Sequence, residues 1–327
     1  MNTVTPDRIL QTLAAHLASK YLLVAVEVGV FEQLVAGPLA LDDLAGRMGL
    51  PRRTARMLVD ALVAAEWLTV DGGRYSNTPI SGAFLSGAQG GPDLRPILRM
   101  WNQVVYPQWA TLEQSLRDDK ATYGYRELSQ AQRESFSEGI GVLTAPSARA
   151  LADRYEFCRH DRVLDLGGGD GSFLAAILSR HPRLQATLFE IPDTAAIARR
   201  KLAALQVAVH VVEGDLHCSD IPTGFDAVVL ANVVHLFGPA RNQALFARVR
   251  AAVPEGARLL LVDFWTNAGH TEPGFAALIA AEFQIVTGEG DVYSVEEIQA
   301  WLQATGWRFM EHVPLQGAAS LIVAEAA

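Results

Sequence analysis

Val163-Leu-Asp165-Leu-Gly167-Gly168-Gly169-Asp-Gly171-Ser-Phe173 decides the reading of this chain. Val163, Leu164 and Leu166 make a short apolar run of the kind buried in a parallel sheet. The glycines that follow permit a tight turn and let a ligand approach the backbone closely, and an apolar helical pattern starts at once after Gly171. Working outward, Gln185 to Glu190, Val207 to Val212, Ala227 to Ala231 and Arg258 to Asp263 read as further buried strands separated by helical stretches, with Leu321 to Ala324 as a final edge strand. That alternation predicts an α/β domain with a doubly wound, mostly parallel sheet, whose ligand lies at the carboxyl ends of the strands.

Upstream of Tyr155 the pattern differs. From Pro6 to about Leu34, apolar residues recur at helical spacing through Ile9, Leu10, Leu13, Leu17, Leu22, Val26 and Val30, so one face of that helix must meet another surface. Leu41 to Pro51, a helical pattern from Arg52 to Trp67 and a hairpin around Gly72-Gly73 outline a winged helix-turn-helix. Arg52, Arg53 and Arg56 raise a DNA-binding reading, but Asp42, Asp43, Asp60 and Glu66 counter them and favour an α-helical dimerisation module. Between Ser81 and Ala148 the chain is mainly helical and aromatic, with Phe84, Trp101, Tyr106, Trp109, Tyr123, Tyr125 and Phe136, and it is expected to line a pocket in which two or three of these rings touch substrate. The resulting division is a winged-helix-like domain over 1–95, a helical linker over 96–155 and a ligand-binding domain over 156–327.

Composition narrows the function. Half of the 327 residues are hydrophobic, 19% are charged and the net charge is -9, which suits a globular enzyme and supplies no basic footprint for nucleic acid or anionic lipid. Cys158 and Cys218 are too few for a disulfide framework and read as packing residues in a reducing, cytoplasmic interior. The apolar stretch Tyr21 to Phe31 is short and interrupted by Glu27, which argues against a signal peptide or membrane span. His210, His217 and His235 fall on different segments, so no metal site is expected.

Four features at successive strand ends carry chemistry. The D-x-G-x-G-x-G arrangement of Asp165, Gly167, Gly169 and Gly171 places Ser172 where the nicotinamide-binding G-x-G-x-x-G pattern has its third glycine, and looks instead like the first motif of S-adenosylmethionine-dependent methyltransferases. Glu190 ends the next strand, where a carboxylate can accept hydrogen bonds from ribose hydroxyls. Asp215 and Leu216 follow the third, where a carboxylate can accept from an adenine amino group while the apolar side chain packs on its ring. Asn232 and His235 follow the fourth strand. Imidazole exchanges protons near neutral pH and can take one from a phenol, while Asp263, ending the fifth strand, can orient it. Ser294-x-x-Glu297 reads as a helix capping box.

With these residues in place the chain resembles the plant-type O-methyltransferases, the group that includes caffeic acid and acetylserotonin methyltransferases and many bacterial natural-product enzymes. The resemblance runs from the N-terminal helices to the last strand. It implies a Rossmann-like methyltransferase sheet and S-adenosylmethionine held by Asp165, Gly167, Gly168, Gly169, Gly171, Glu190, Asp215, Leu216 and Asn232. It also implies His235 as general base with Asp263, and an intertwined homodimer. The acceptor, an aromatic secondary metabolite with a phenolic or enolic hydroxyl, is expected against Trp101, Tyr106, Trp109, Phe136, Phe237 and Phe283. The family's H-D-W motif is His235-Leu236-Phe237 here, and its second acidic residue falls near Val292, beside Asp291. C- or N-methylation, a reaction without methyl transfer, a ligand-sensing winged-helix regulator and an NAD-dependent oxidoreductase are the alternatives.

Overall fold

The computed structural model describes residues 5–88, 90–124 and 127–327, so Tyr125 lies outside the described residues. Two compact units emerge: Met1–Pro107 with Leu128–Val142, and Gln108–Glu127 with Leu143–Ala327.

In the first unit, helix Asp7–Glu27 precedes β1 (Leu39–Ala40), helices Leu41–Met48 and Arg52–Ala64 follow it, and β1 forms a small antiparallel sheet with β2 (Leu68–Asp71) and β3 (Arg74–Asn77) in the order β1-β3-β2. Gly72 and Gly73 both take positive φ in the β2–β3 turn, as a two-residue hairpin connection requires. Val26, Val30, Phe31, Leu44, Val59 and Leu62 form its core, while Ile9, Leu10, Leu13 and Leu17 on the first helix remain 67%, 58%, 62% and 60% exposed. That helix is, by length and composition alone, apolar enough to cross a bilayer, and it extends the apolar run well before Tyr21. Arg52 and Arg56 pair with Asp42 at 2.6 Å and Asp60 at 2.9 Å.

The second unit is built on a seven-stranded sheet: β4 (Arg162–Leu166), β5 (Gln185–Glu190), β6 (His210–Glu213), β7 (Ala227–Ala231), β8 (Arg258–Asp263), β9 (Trp307–Pro314) and β10 (Ser320–Ala326). Their order is β6-β5-β4-β7-β8-β10-β9, parallel except for β10, which runs antiparallel to both neighbours. Alternation along each strand splits the core into two faces. Leu164, Leu166, Val228, Leu230, Leu259 and Leu261 pack on one side, and Val163, Val229, Leu260 and Val262 on the other. Each such buried side chain contributes roughly 1.5–3 kcal/mol of hydrophobic stabilisation. The order reverses between β4 and β7, and the crevice at such a switch point is where this architecture holds ligands.

Three expectations are corrected. Leu321 to Ala324 is not an edge strand, because β9 pairs outside it. Trp307 and Phe309 of β9 face the core while Arg308 and Glu311 are exposed, an alternation that identifies a half-covered edge strand. The third strand starts at His210 rather than Val207, whose amide instead closes the preceding helix on Leu202 O at 3.0 Å. Cys158 and Cys218 are exposed and free rather than packed.

Candidate active site

The turn after β4 is shaped by its glycines. Gly167, Gly169 and Gly171 have φ of +68°, +58° and +82°, a region that costs other residues about 1 kcal/mol or more. The Gly167 amide donates to Phe189 O at 2.8 Å, tying the turn to β5. A Cβ on Gly168 would lie 2.4 Å from both Asp165 Oδ2 and Leu188 Cδ1, whereas one on Gly169 would meet nothing within 4 Å. One side of the turn is therefore packed and the other open. Beneath it Asp165 is fully buried, and neither carboxyl oxygen has a hydrogen-bond partner among the described residues. Burial first, then the nearby Glu190 and Asp170 charges, push this carboxyl up to about 8.

Glu190 completes the wall. Its Oε2 accepts from the Gly169 amide at 3.1 Å and its Oε1 from the Ile191 amide at 2.8 Å, leaving further lone pairs for a ligand. Burial pushes its carboxyl up, and the two amides oppose that shift. Asp215 follows Gly214, where any Cβ would fall 2.2 Å from Phe189 Cζ. Oδ1 of Asp215 accepts from the His217 amide at 2.7 Å, which holds the exposed carboxyl below its usual range. Leu216 and Val233 flank Gly167: a Cβ there would meet them at 3.2 and 3.1 Å. Asn232 leaves β7 with φ +57°, an uncommon conformation for a non-glycine residue.

His235 lies in the 3₁₀ turn Val234–Leu236 that follows. His235 Nδ1 lies 2.5 Å from Asp263 Oδ1, and its amide donates to Asp263 Oδ2 at 3.3 Å. The fully buried Asp263 is further fixed by the Phe264 amide at 2.8 Å. A carboxylate only accepts, so Nδ1 is the donor of this pair, and a ring without a proton on Nε2 would present its lone pair there. Nε2 has no hydrogen-bond partner among the described residues. The ring is clamped by Phe283, whose centroid is 3.8 Å away at 18°, with Phe264 at 6.1 Å.

A model of the O-methyltransferase domain matches residues 102–308, and a model of the O-methyltransferase dimerisation domain matches residues 10–87. The chain belongs to the plant-type O-methyltransferase family. It is 29% identical to 3-hydroxy-5-methyl-1-naphthoate 3-O-methyltransferase of Streptomyces sahachiroi, over 92% of this chain and 90% of that one. It is 28% identical to the N,N-dimethyltransferase OxyT of Streptomyces rimosus, again over 92% and 90%. Among solved structures, PigF with SAH superposes with a TM-score of 0.88 at 26% identity, covering 98% of this chain and 100% of that one.

This methyltransferase uses S-adenosylmethionine. The residues at the strand ends fit such a ligand on their own geometry: a turn with one open side at Gly169, an orphaned buried acid at Asp165, and a carboxylate at Glu190 with free lone pairs. The enzyme's aromatic residues are distributed unevenly. Trp109 and Phe283 lie on elements of the second unit that pack together, with the Thr122 and Tyr123 amides donating to Ile285 O at 3.0 and 3.3 Å. Phe237 packs edge-on against His217 at 4.3 Å and under Arg241, whereas Phe283 stacks on His235. Trp101, Tyr106 and Phe136 belong to the first unit, where Tyr106 bonds His16 Nε2 at 2.9 Å. Ser294 and Glu297 form the expected capping box.

Sequence reasoning missed Phe264 and Glu282. Glu282 accepts a hydrogen bond from Trp109 Nε1, and burial pushes its carboxyl up to about 7 against that bond. The signal was present: Glu282 is the sole charged residue of the helix Gly274–Thr287.

Proposed function

We propose that the protein transfers a methyl group to a phenolic or enolic oxygen of an aromatic acceptor, with His235 as general base. The observation that carries this reading is the buried His235 ring held at Nδ1 by Asp263, stacked on Phe283, and without a hydrogen-bond partner at Nε2 among the described residues. When bound, S-adenosylmethionine supplies an electrophilic methyl whose carbon leaves a sulfonium sulfur as the oxygen attacks. Gly167, Gly168, Gly169 and Gly171 give the cofactor a surface of bare backbone over Asp165. Glu190 receives its ribose hydroxyls, and Asp215, Leu216 and Asn232 border its base. His235 Nε2 takes the hydroxyl proton, and the Asp263 carboxylate stabilises the resulting imidazolium at Nδ1. The naphthoate relative supports a fused aromatic acceptor, lying on Phe283 with Trp109 beyond it.

The exposed Ile9, Leu10, Leu13 and Leu17 face lies largely within the dimerisation match and is proposed to pack on a second copy, in the cytoplasm. The test is to supply ¹³C-methyl S-adenosylmethionine with 2-naphthol and 2,7-dihydroxynaphthalene and locate the label by NMR. Label on oxygen with the wild type, and a loss of about 10²- to 10⁴-fold in turnover with His235→Ala, is expected. Label on carbon or nitrogen, or undiminished turnover in the variant, would contradict the reading.

A further inference from the structure

The helix Gly274–Thr287 presents two adjacent rows. Ala276, Ile279, Ala280 and Phe283 form the first, which packs with Leu236, Phe264 and Val292 beside His235. Phe275, Leu278 and Glu282, spaced three and four residues apart, form the second. Phe275 and Leu278 are 46% and 74% exposed, and Phe275 sets its edge on Phe264 at 5.8 Å. The rings of Phe283, Phe264 and Phe275 thus make an apolar ledge leading away from His235, and Glu282 stands one helical step from Phe283.

Glu282 is poorly explained as packing. Its one hydrogen-bond partner among the described residues is the neutral Trp109 Nε1, and none of those residues supplies a cation to offset its partial burial. A carboxylate so placed costs stability relative to an apolar residue of similar size. One bond also leaves most of its acceptor capacity unused. The raised affinity of this carboxyl for a proton, at about 7, is the signature of that desolvation.

We propose that Glu282, oriented by Trp109, selects acceptors that carry a second hydrogen-bond donor, on the part of the aromatic system remote from the atom that is methylated. The assignment rests on the aromatic-hydroxyl reading above. Glu282 and Phe283 are consecutive on the helix, so an acceptor whose reacting hydroxyl is at His235 and whose rings cross Phe283 toward the Phe275, Leu278 and Glu282 row brings its far substituent to the Glu282 carboxylate. A donor there satisfies the free lone pairs, whereas an ether leaves them buried and unpaired.

The test compares 2,7-dihydroxynaphthalene with 7-methoxy-2-naphthol, which is as long but cannot donate at the far end. The wild type should favour the diol by about 10- to 100-fold in kcat/KM, mainly through KM, as a charge-assisted bond implies. In Glu282→Gln, whose amide oxygen still accepts from Trp109, that preference should fall to a few-fold, and in Glu282→Leu it should vanish, with turnover of the methoxy compound retained or improved. If both substitutions slow the two acceptors equally and leave the ratio unchanged, or if the wild type shows no preference, Glu282 is not the selecting group. If the wild type methylates neither naphthol, the aromatic-hydroxyl reading itself falls and this assignment with it.

Discussion

Replacing Asp165 by Asn tests the strongest electrostatic anomaly of the sheet. The carboxyl is fully buried without a hydrogen-bond partner among the described residues, and its pKa moves from 3.8 to about 8. Between those values the folded protein keeps a proton that the unfolded chain has released. The stability contributed by that proton is therefore fully present below the unfolded value and is lost as pH rises toward the folded one. The slope is about 1.4 kcal/mol per pH unit, so roughly 3 kcal/mol should disappear between about pH 5 and pH 7. Asn keeps the shape of the side chain and removes the titration. Urea denaturation of both proteins without S-adenosylmethionine, followed at several pH values across that interval, should show the variant gaining on the wild type by that amount. Parallel pH dependences would refute the claim that Asp165 is held neutral. A cationic ligand over the turn favours the ionised carboxylate, so S-adenosylmethionine binding near neutrality should release protons from the wild type and fewer from the variant. Calorimetry in buffers of different ionisation enthalpy reads that difference.

The other expectations follow from single contacts. Asp263→Asn keeps an oxygen acceptor but can present the wrong tautomer to Nδ1, so turnover should fall by about 10²-fold or more while S-adenosylmethionine affinity changes little, as kinetics and calorimetry on one preparation would show. Gly214→Ala forces a Cβ onto the Phe189 ring and should cost about 1–3 kcal/mol in denaturant unfolding. Gly169→Ala meets open space and should cost about 1 kcal/mol for its positive φ, yet weaken cofactor binding because its methyl enters the open side of the turn. Leu13→Asp with Leu17→Asp should yield monomers by sedimentation velocity; an unchanged dimer would place the interface elsewhere.

What could be read from the sequence was what period and position determine. Strands β4, β5, β7 and β8 were legible because their residues are apolar on both faces, and the glycine turn because only glycine tolerates its backbone. The His235–Asp263 pairing was legible because consecutive strand ends of a parallel sheet are neighbours, here with β7 and β8 in register at Ala231 and Val262. Edge strand β9 was missed because Arg308 and the exposed run Met310, Glu311 and His312 resemble a solvated segment, although Trp307 and Phe309 join the core cluster. Cys158 and Cys218 were misplaced because cysteine's preference for burial says nothing of the loops that hold them. Phe264 and Glu282 were missed for a different reason. Their importance depends on which helix face meets His235, and that is fixed by the tertiary packing of Gly274–Thr287 rather than by any local pattern.

The most direct test of the central claim is a calorimetric titration of the wild type and of Glu190→Ala with S-adenosylmethionine, S-adenosylhomocysteine and NAD. Binding of both adenosyl ligands to the wild type, substantial weakening in the variant and no binding of NAD are predicted. Failure of the adenosyl ligands to bind, or equal affinity in the two proteins, would contradict a cofactor site built at the carboxyl ends of β4 and β5.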